Sequence, residues 1–197
     1  MTVAASSAAG VADPRLLGRD VRRIAFDAET LRARVRELGA EITAAYPDGD
    51  LHVLGLLKGS FVFLADLVRE IRRPLYVDFV VAASYGDAMV SSGHVRLVYA
   101  PEASLEGKHI LLVEDIVDSG RTLQELKSLL SARRPRSLEI CALLHKRIAA
   151  QPAVPVRFVG FDAPNEFLVG YGLDHAENFR HLPYVASLKQ SEAVTDR

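Results

Sequence analysis

The 197-residue sequence has little that would indicate a secreted, membrane or metal-cluster protein. Cys141 is its only cysteine, so no disulfide can form within the chain and no cysteine cluster can hold a metal. No apolar run approaches the roughly 20 residues that a bilayer-spanning helix needs. The N-terminus lacks the basic start and leucine-rich centre of a secretory signal. We therefore expect a cytoplasmic protein that has no membrane partner.

The chain also carries almost no net charge and lacks two common nucleotide-binding motifs. The formal net charge is −1, which provides no global basic field to recruit nucleic acid. The chain contains neither a G-x-x-x-x-G-K-[ST] loop nor a G-x-G-x-x-G turn after a strand, and its six histidines have no metal-ligand spacing. These absences exclude the most familiar nucleotide and zinc sites.

The pattern of apolar residues predicts an α/β fold. Most of the apolar runs that we expect to be strands alternate with helical patterns, which favours a mainly parallel twisted sheet flanked by helices. The predicted strands are 21–26, 51–57, 75–83, 95–99, 110–113, 138–144 and 156–161. One helix should follow a cap at Asp27. A second should span 61–71, with these side chains facing inward: Phe61, Leu64, Ala65 and Val68. A third should begin near residue 122 and bury the leucines at 123, 126, 129 and 130.

The length of the chain suits a single domain, expected at residues 13–188. Residues 1–12 are small and polar and should be disordered, and 189–197 should form a polar tail. Later short strands outside the alternation predict a small lobe over the carboxyl ends of the main strands. This lobe, the hood, would be formed by the N-terminal segment and residues of about 150–185.

One stretch, residues 109–123, combines the features of a sugar-phosphate site. Four apolar residues, 110–113, read as a strand that is buried on both faces, and Glu114 and Asp115 follow it. Residues 118–122 then form a turn, D-S-G-R-T, into an amphipathic helix. Backbone N–H groups at a helix N-terminus suit a phosphate, whereas carboxylates suit ribose hydroxyls or a metal. The alternative is that Asp118 and Ser119 only cap the helix.

Two other segments carry candidate chemistry. Lys58 and Gly59 lie at the predicted carboxyl end of another parallel strand, the side on which open α/β sheets bind ligands. Residues 84–93 are rich in glycine and serine, a composition typical of a mobile loop.

The E-D-I-V-D-S-G stretch resembles the 5-phosphoribosyl-1-diphosphate (PRPP) motif of the type I phosphoribosyltransferases. Residues 159–174, V-G-F-D-A-P-N-E-F-L-V-G-Y-G-L-D, resemble the base-binding hood of the hypoxanthine-guanine phosphoribosyltransferase branch. The resemblance runs from about residue 21 to residue 188 with the motifs in the family's order. It departs at residues 99–104, Y-A-P-E-A-S, and at His175, where a tyrosine is common.

The resemblance implies the type I phosphoribosyltransferase fold and a role for each matching residue. PRPP phosphate and ribose would be held by Glu114, Asp115, Asp118, Ser119, Gly120, Arg121 and Thr122, and pyrophosphate by Lys58, Gly59 and Arg180. A flexible loop with Ser84 and Tyr85 near its tip would close over the reacting centre. The purine side would comprise Lys146, Phe167, Leu168 and Asp174, with Mg²⁺ on Glu114, Asp115 and Asp174.

The implied activity is purine salvage, in which Asp118 exchanges a proton with N7 while N9 of hypoxanthine or guanine attacks PRPP. The products would be IMP or GMP and pyrophosphate, and the enzyme is expected to be a homodimer or homotetramer. Two alternatives remain open. One is a sibling enzyme for xanthine, and the other is a PRPP-sensing regulator that binds RNA or a partner protein.

Overall fold

The computed structural model describes residues 11, 13–19, 21–84, 95–118, 120–146 and 154–188, and these fall into two compact units. The larger unit comprises Arg32–Asn165, and the smaller comprises the described residues up to Leu31 and from Glu166 onward. Tyr85, in the expected flexible loop, and Ser119, in the expected phosphate turn, lie outside the described residues. Among the helices that are described, none is long and apolar enough to cross a bilayer.

A six-stranded sheet forms the centre of the larger unit. Its strands are β2 (Leu51–Leu57), β3 (Tyr76–Ser84), β4 (Val95–Tyr99), β5 (His109–Val117), β6 (Ser137–His145) and β7 (Phe158–Asp162). Their order across the sheet is β4-β3-β2-β5-β6-β7. Every pairing is parallel except that of β3 with β4. The predicted mainly parallel sheet is confirmed.

In the described part of the chain, three α-helices accompany the sheet: α1 (Ala28–Ala45), α2 (Phe61–Glu70) and α3 (Arg121–Ser131). The predicted cap of α1 is confirmed, since Asp27 Oδ1 accepts a hydrogen bond from the Thr30 N–H at 2.8 Å. Phe158–Asp162 pairs with β6 in the main sheet, and the described residues 154–165 belong to the larger unit, so the C-terminal part of the smaller unit begins at Glu166.

The strand predicted at residues 110–113 lies in the apolar core of the larger unit. Residues 110–113 of β5 are completely buried, as expected for a strand with neighbours on both edges and cover on both faces. Cys141 on β6 is also completely buried, and burial raises the pKa of its thiol. This cysteine is therefore an inert core residue.

The inward faces of two helices were predicted only in part. In α2 the buried residues are Phe63, Leu64 and Leu67, whereas Phe61 is 44% exposed. The prediction was right for Leu64 and wrong for Phe61 and Ala65, which are exposed, because 61–71 is apolar on more than one face and periodicity alone does not identify the buried face. In α3, Leu123, Leu126 and Leu130 are buried as predicted, but Leu129 lies on the exposed side.

The smaller unit is built on a three-stranded antiparallel sheet in the order β1-β9-β8. Its strands are β1 (Arg23–Phe26), β8 (Leu168–Val169) and β9 (Val185–Ser187), and a short 3₁₀ helix covers Pro14–Leu16. Apolar residues from both chain segments form its core: Leu16, Val21, Val169, Phe179, Leu182, Tyr184, Ala186 and Leu188.

Candidate active site

The end of β5 carries the two predicted carboxylates inside the strand. The strand continues through Glu114 and Asp115 to Val117, so the expectation that it would end before the acidic pair was wrong. Pairing with β6 extends this far, with Glu114 opposite Ala142 and Val117 opposite His145. An open cavity of about 130 Å³ lies here and is lined by Glu114, Ile116, Val117, Asp118, Gly120, Thr122 and Leu123. Glu114 of the acidic pair and the described residues of the turn therefore line one cavity.

The N-terminus of α3 begins directly beside this cavity. Gly120 is its N-cap, with a φ of +70° that residues with a side chain rarely adopt, and α3 starts at Arg121. The N–H groups in the first turn of a helix point out of its N-terminus, an arrangement that suits an anion. The cap position belongs to Gly120, which removes the helix-cap interpretation for Asp118.

Asp118 instead makes contact with Lys146. The Lys146 Nζ lies 3.3 Å from Asp118 Oδ2, although the two residues are 28 positions apart in sequence. The Lys146 N–H also donates to the Val117 carbonyl at 2.9 Å, which fixes the end of β6 beside the end of β5. The Asp118 side chain is 55% exposed and the Lys146 side chain 19%, so the carboxylate remains accessible to a ligand from solvent.

The loop after β2 lies directly against the second carboxylate of β5. The peptide bond between Leu57 and Lys58 is cis. A Cβ atom placed on Gly59 would lie only 1.7 Å from Asp115 Oδ2. The other carboxylate oxygen, Oδ1, accepts a hydrogen bond from the Ile116 N–H at 2.8 Å. The structure thus places Gly59 of the predicted pyrophosphate loop beside Asp115, one of the two predicted ribose carboxylates.

Glu114 is a strongly perturbed carboxyl group. Burial, with a smaller contribution from the neighbouring charge of Asp115, raises the pKa of Glu114 well above its usual range. Within the described part of the chain, its Oε2 atom is buried and has no hydrogen-bond partner. Such an oxygen fits a hard cation, which would satisfy it and offset the like charges.

The carboxylates also suit Mg²⁺ better than a cation that takes all of its ligands from protein side chains. Among the described residues no cluster of three or more His, Cys, Asp or Glu side chains could hold a metal. Mg²⁺ is commonly bound by one or two carboxylates, with water and substrate oxygens completing its shell. Glu114 and Asp115 are therefore suitable ligands for a Mg²⁺ ion that arrives with a phosphorylated substrate.

The raised pKa of Glu114 predicts a specific pH dependence of stability. Because its pKa in the folded state lies above that in the unfolded state, folding stability falls as pH rises from about 4.5 through the folded-state pKa. Replacing Glu114 with glutamine removes this penalty. We expect the melting temperature of the Mg²⁺-free variant to exceed wild type at pH 7–8 by about 2–4 °C for each kcal/mol of penalty removed, with the gap closing toward pH 4.5.

Thermal melts of both proteins at several pH values, with and without Mg²⁺ and PRPP, would measure this difference. Glu102→Gln is the matched control, since Glu102 is exposed and the substitution should leave the profile unchanged. Equal melting temperatures for wild type and Glu114→Gln across the pH range would contradict an ionisation penalty at Glu114.

In the smaller unit, the predicted purine-stacking residue presents its ring to solvent. Phe167 is 44% exposed, and its ring meets the ring of His175 edge to face, with centroids 5.3 Å apart. The Phe167 carbonyl accepts a hydrogen bond from the Leu188 N–H at 3.0 Å. Leu168 is the first residue of β8 and is 6% exposed. The backbone here is fixed while the aromatic face remains accessible.

Asp174 and Arg180 form an ion pair in the same unit. Arg180 Nη2 lies 2.8 Å from Asp174 Oδ1, and Arg180 Nη1 donates to the Gly172 carbonyl at 2.9 Å. The second oxygen of Asp174 accepts the Glu177 N–H at 2.9 Å. Both residues are thus engaged in holding the turn together. Their predicted contacts with Mg²⁺ and pyrophosphate remain predictions.

Sequence reasoning missed one ion pair next to the stacking residue. Arg23 Nη2 lies 2.8 Å from Glu166 Oε1, across 143 residues of sequence. This hydrogen bond is the main cause of the lowered pKa of Glu166, which partial burial opposes. No local pattern marks such a pair, because it depends on β1 and β8 sharing β9 as a neighbour.

Comparison with known proteins identifies the family. The model of the phosphoribosyl transferase domain matches residues 26–176. A hypoxanthine phosphoribosyltransferase of Salmonella typhimurium is 47% identical over 160 residues, 80% of this chain and 90% of the relative. A hypoxanthine-guanine phosphoribosyltransferase of Dictyostelium discoideum is 46% identical over 173 residues, 86% of this chain and 96% of the relative.

Solved structures agree with the sequence comparison. A hypoxanthine phosphoribosyltransferase of Staphylococcus aureus superimposes with a TM-score of 0.85 at 36% identity, covering 89% of this chain and 96% of the other. A hypoxanthine-guanine phosphoribosyltransferase of Bacillus anthracis gives a TM-score of 0.82 at 38% identity, covering 86% and 100%. The expected type I fold is confirmed, and the chain belongs to the phosphoribosyltransferase family, in its hypoxanthine(-guanine) branch.

Proposed function

We propose that this enzyme transfers the 5-phosphoribosyl group of PRPP to N9 of hypoxanthine or guanine, giving IMP or GMP and pyrophosphate in purine salvage. The observation that carries the proposal is the cavity at the end of β5. There an acidic strand end and a glycine-capped helix N-terminus meet, with Asp118 in contact with Lys146. The helix N-terminus would suit a phosphate, the carboxylates would suit a ribose, and Lys146 would suit a base with a carbonyl group.

The PRPP half of the site is assigned to the larger unit. The N–H groups at the start of α3 and the Thr122 hydroxyl would bind the 5′-phosphate, together with Ser119 and Arg121 of the same turn. Glu114 and Asp115 would hold the ribose hydroxyls directly or through metal. Lys58 and the Gly59 backbone, which lies against Asp115, would bind pyrophosphate.

Mg²⁺ is proposed as the cofactor. When bound, it would neutralise charge on the departing pyrophosphate, which is the main obstacle to cleavage of the bond at C1 of the ribose. Asp174 is proposed as a further ligand. The carboxylates of β5 would also stabilise positive charge that develops on the ribose ring.

Asp118 is proposed to exchange the proton at N7 of the purine as N9 attacks. Its side chain is exposed enough to reach a ligand, and it does not cap α3. Lys146 would donate a hydrogen bond to the exocyclic oxygen of a 6-oxopurine, and it would reject adenine, whose amino group is itself a donor. Phe167 would stack on the purine, the Leu168 backbone would read its edge, and Arg180 would contact pyrophosphate.

The decisive test is incubation of the purified protein with PRPP and Mg²⁺ against hypoxanthine, guanine, xanthine and adenine in parallel. We expect IMP and GMP, with little or no product from adenine. Xanthine as the preferred base would instead identify the sibling enzyme. If no base gives a nucleotide, the proposed enzyme activity is refuted and a PRPP-binding regulator is favoured.

Replacing Lys146 with alanine should raise KM for hypoxanthine and guanine and reduce discrimination against adenine. Loss of a hydrogen bond to the substrate predicts a change of roughly 10-fold or more, because a charged donor contributes about 1.5–3 kcal/mol. Steady-state kinetics with each base would measure the effect. Lys108→Ala is the matched control, since Lys108 lies before the amino end of β5 and should not affect KM. Unchanged base selectivity in Lys146→Ala would count against the assignment.

Self-association is proposed as well, in the form of a homodimer or homotetramer. Supporting it, the paired strands β3 and β4 expose several large apolar side chains: Tyr76, Val77, Phe79, Val98 and Tyr99. Such a concentration is unusual on a monomer and favours burial against another protein surface. Sedimentation velocity would measure the assembly. Closure of a loop carrying Ser84 and Tyr85, and a cytoplasmic location, stay predictions.

A further inference from the structure

Within the smaller unit, the ring of Phe167 has a polar aromatic neighbour to which the proposed mechanism gives no role. The His175 ring lies edge-on to the Phe167 ring, at a centroid distance of 5.3 Å and an interplanar angle of 78°. Edge-to-face contacts of this kind have a preferred geometry and contribute beyond the burial of area. Because Phe167 is 44% exposed, its ring is only partly surrounded by protein, and this contact restricts its orientation.

His175 itself is held by a tightly bonded turn. Its N–H donates to the Asn178 carbonyl at 3.3 Å, and the Asn178 N–H donates back to the His175 carbonyl at 3.0 Å. The Asn178 side-chain amide also donates to the Ala176 carbonyl at 2.9 Å. Ala176 and Glu177 both have positive φ values, +49° and +61°, so this backbone adopts a defined conformation that is uncommon for residues with side chains.

The base of the same turn is fixed by charge. Asp174 accepts the Glu177 N–H through one oxygen and pairs with Arg180 through the other. Arg180 in turn donates to the Gly172 carbonyl. The backbone that carries His175 is therefore held by several interactions that do not involve Phe167, so the His175 ring projects from a fixed turn.

We propose that His175 is a positioning residue that orients the Phe167 ring for stacking on the purine. The inference rests on the proposed function, because it takes Phe167 as the stacking residue. A purine gains most from an aromatic ring that is already oriented, since no rotational freedom is then lost on binding. His175 would thus tune affinity for the base without touching it and without acting on PRPP.

The first experiment compares His175→Ala with wild type in steady-state kinetics. We expect KM for hypoxanthine to rise about 2- to 10-fold, the range that one aromatic pair supports, with kcat and KM for PRPP changed less. His175→Tyr should restore KM, because a tyrosine ring offers the same kind of edge. A purely structural role would lower the melting temperature without separating the two KM values.

Two further variants make the outcome decisive. His181→Ala removes an exposed histidine of the same unit, which contacts the Arg15 carbonyl, and should leave KM for hypoxanthine unchanged. Phe167→Ala should raise that KM more than His175→Ala does. If Phe167→Ala raises KM and His175→Ala does not, His175 has no positioning role and the proposed function stands. If neither variant raises KM, the stacking role of Phe167 is refuted, and the positioning role falls with it.

Discussion

Replacing Asp118 with asparagine is expected to lower kcat by about 10²–10⁴, the usual contribution of a general acid or base. Asparagine keeps the size of the side chain and an oxygen that can accept from Lys146 Nζ, now 3.3 Å from the carboxylate. It cannot exchange a proton with N7 of the purine. The loss should therefore appear in turnover, with KM for PRPP little changed, since Asp118 does not cap the helix that would bind the phosphate.

Steady-state and single-turnover kinetics with hypoxanthine would measure the effect of Asp118→Asn. Asp48→Asn provides the matched control, because Asp48 is exposed and pairs with Arg136, away from the cavity. It should retain wild-type turnover. A near-normal rate in Asp118→Asn would remove Asp118 from proton exchange and leave it a role only in contact with Lys146.

Replacing Gly59 with alanine is expected to lower kcat/KM for PRPP by about 10² or more. The new Cβ would lie 1.7 Å from Asp115 Oδ2, far inside van der Waals contact, so either the loop or the carboxylate must move. Displacement of about 1 Å at a substrate-positioning group can cost 10²-fold in rate. The loop and the Asp115 carboxylate are both assigned to PRPP binding. The substitution should therefore change the kinetic constants for PRPP more than those for the base.

Kinetics with PRPP varied at saturating hypoxanthine would test the effect of Gly59→Ala, and a thermal melt would show whether the fold is kept. Gly107→Ala is the control for the same chemical change. Gly107 also has a positive φ, +71°, but a Cβ there would meet no atom within 4 Å. That variant should lose some stability through backbone strain and keep its activity. Unaltered PRPP kinetics in Gly59→Ala would show that the close approach has no functional consequence.

Much of the fold was predictable because its signals are local. A strand that is covered on both faces needs an uninterrupted apolar run, and residues 110–113 provide one. Asp27 could be identified as a helix cap because capping requires only a short polar side chain before an amphipathic run. The end of β5 was misplaced because Glu114 and Asp115 have low strand propensity, whereas pairing with β6 keeps them in the strand.

The buried side of α2 illustrates the opposite case. Phe61 and Phe63 are equally apolar, but Phe63 is completely buried and Phe61 is 44% exposed. Only the placement of the helix on the sheet decides between them, and local propensity carries no information about that placement. The Arg23–Glu166 pair was missed for a related reason, since it forms across β9, whose position in the order β1-β9-β8 no short segment encodes.

The sequence by itself determined the fold class and the hypothesis for the candidate site. The apolar runs specify a mainly parallel sheet, and the acidic pair followed by a glycine turn predicts a sugar-phosphate site. Only the tertiary structure decided that Gly59 lies against Asp115 and that Asp118 meets Lys146 instead of capping α3. The physical reason is that strand order and register bring distant chain segments together, and the local sequence of one segment does not indicate which other segment it will contact.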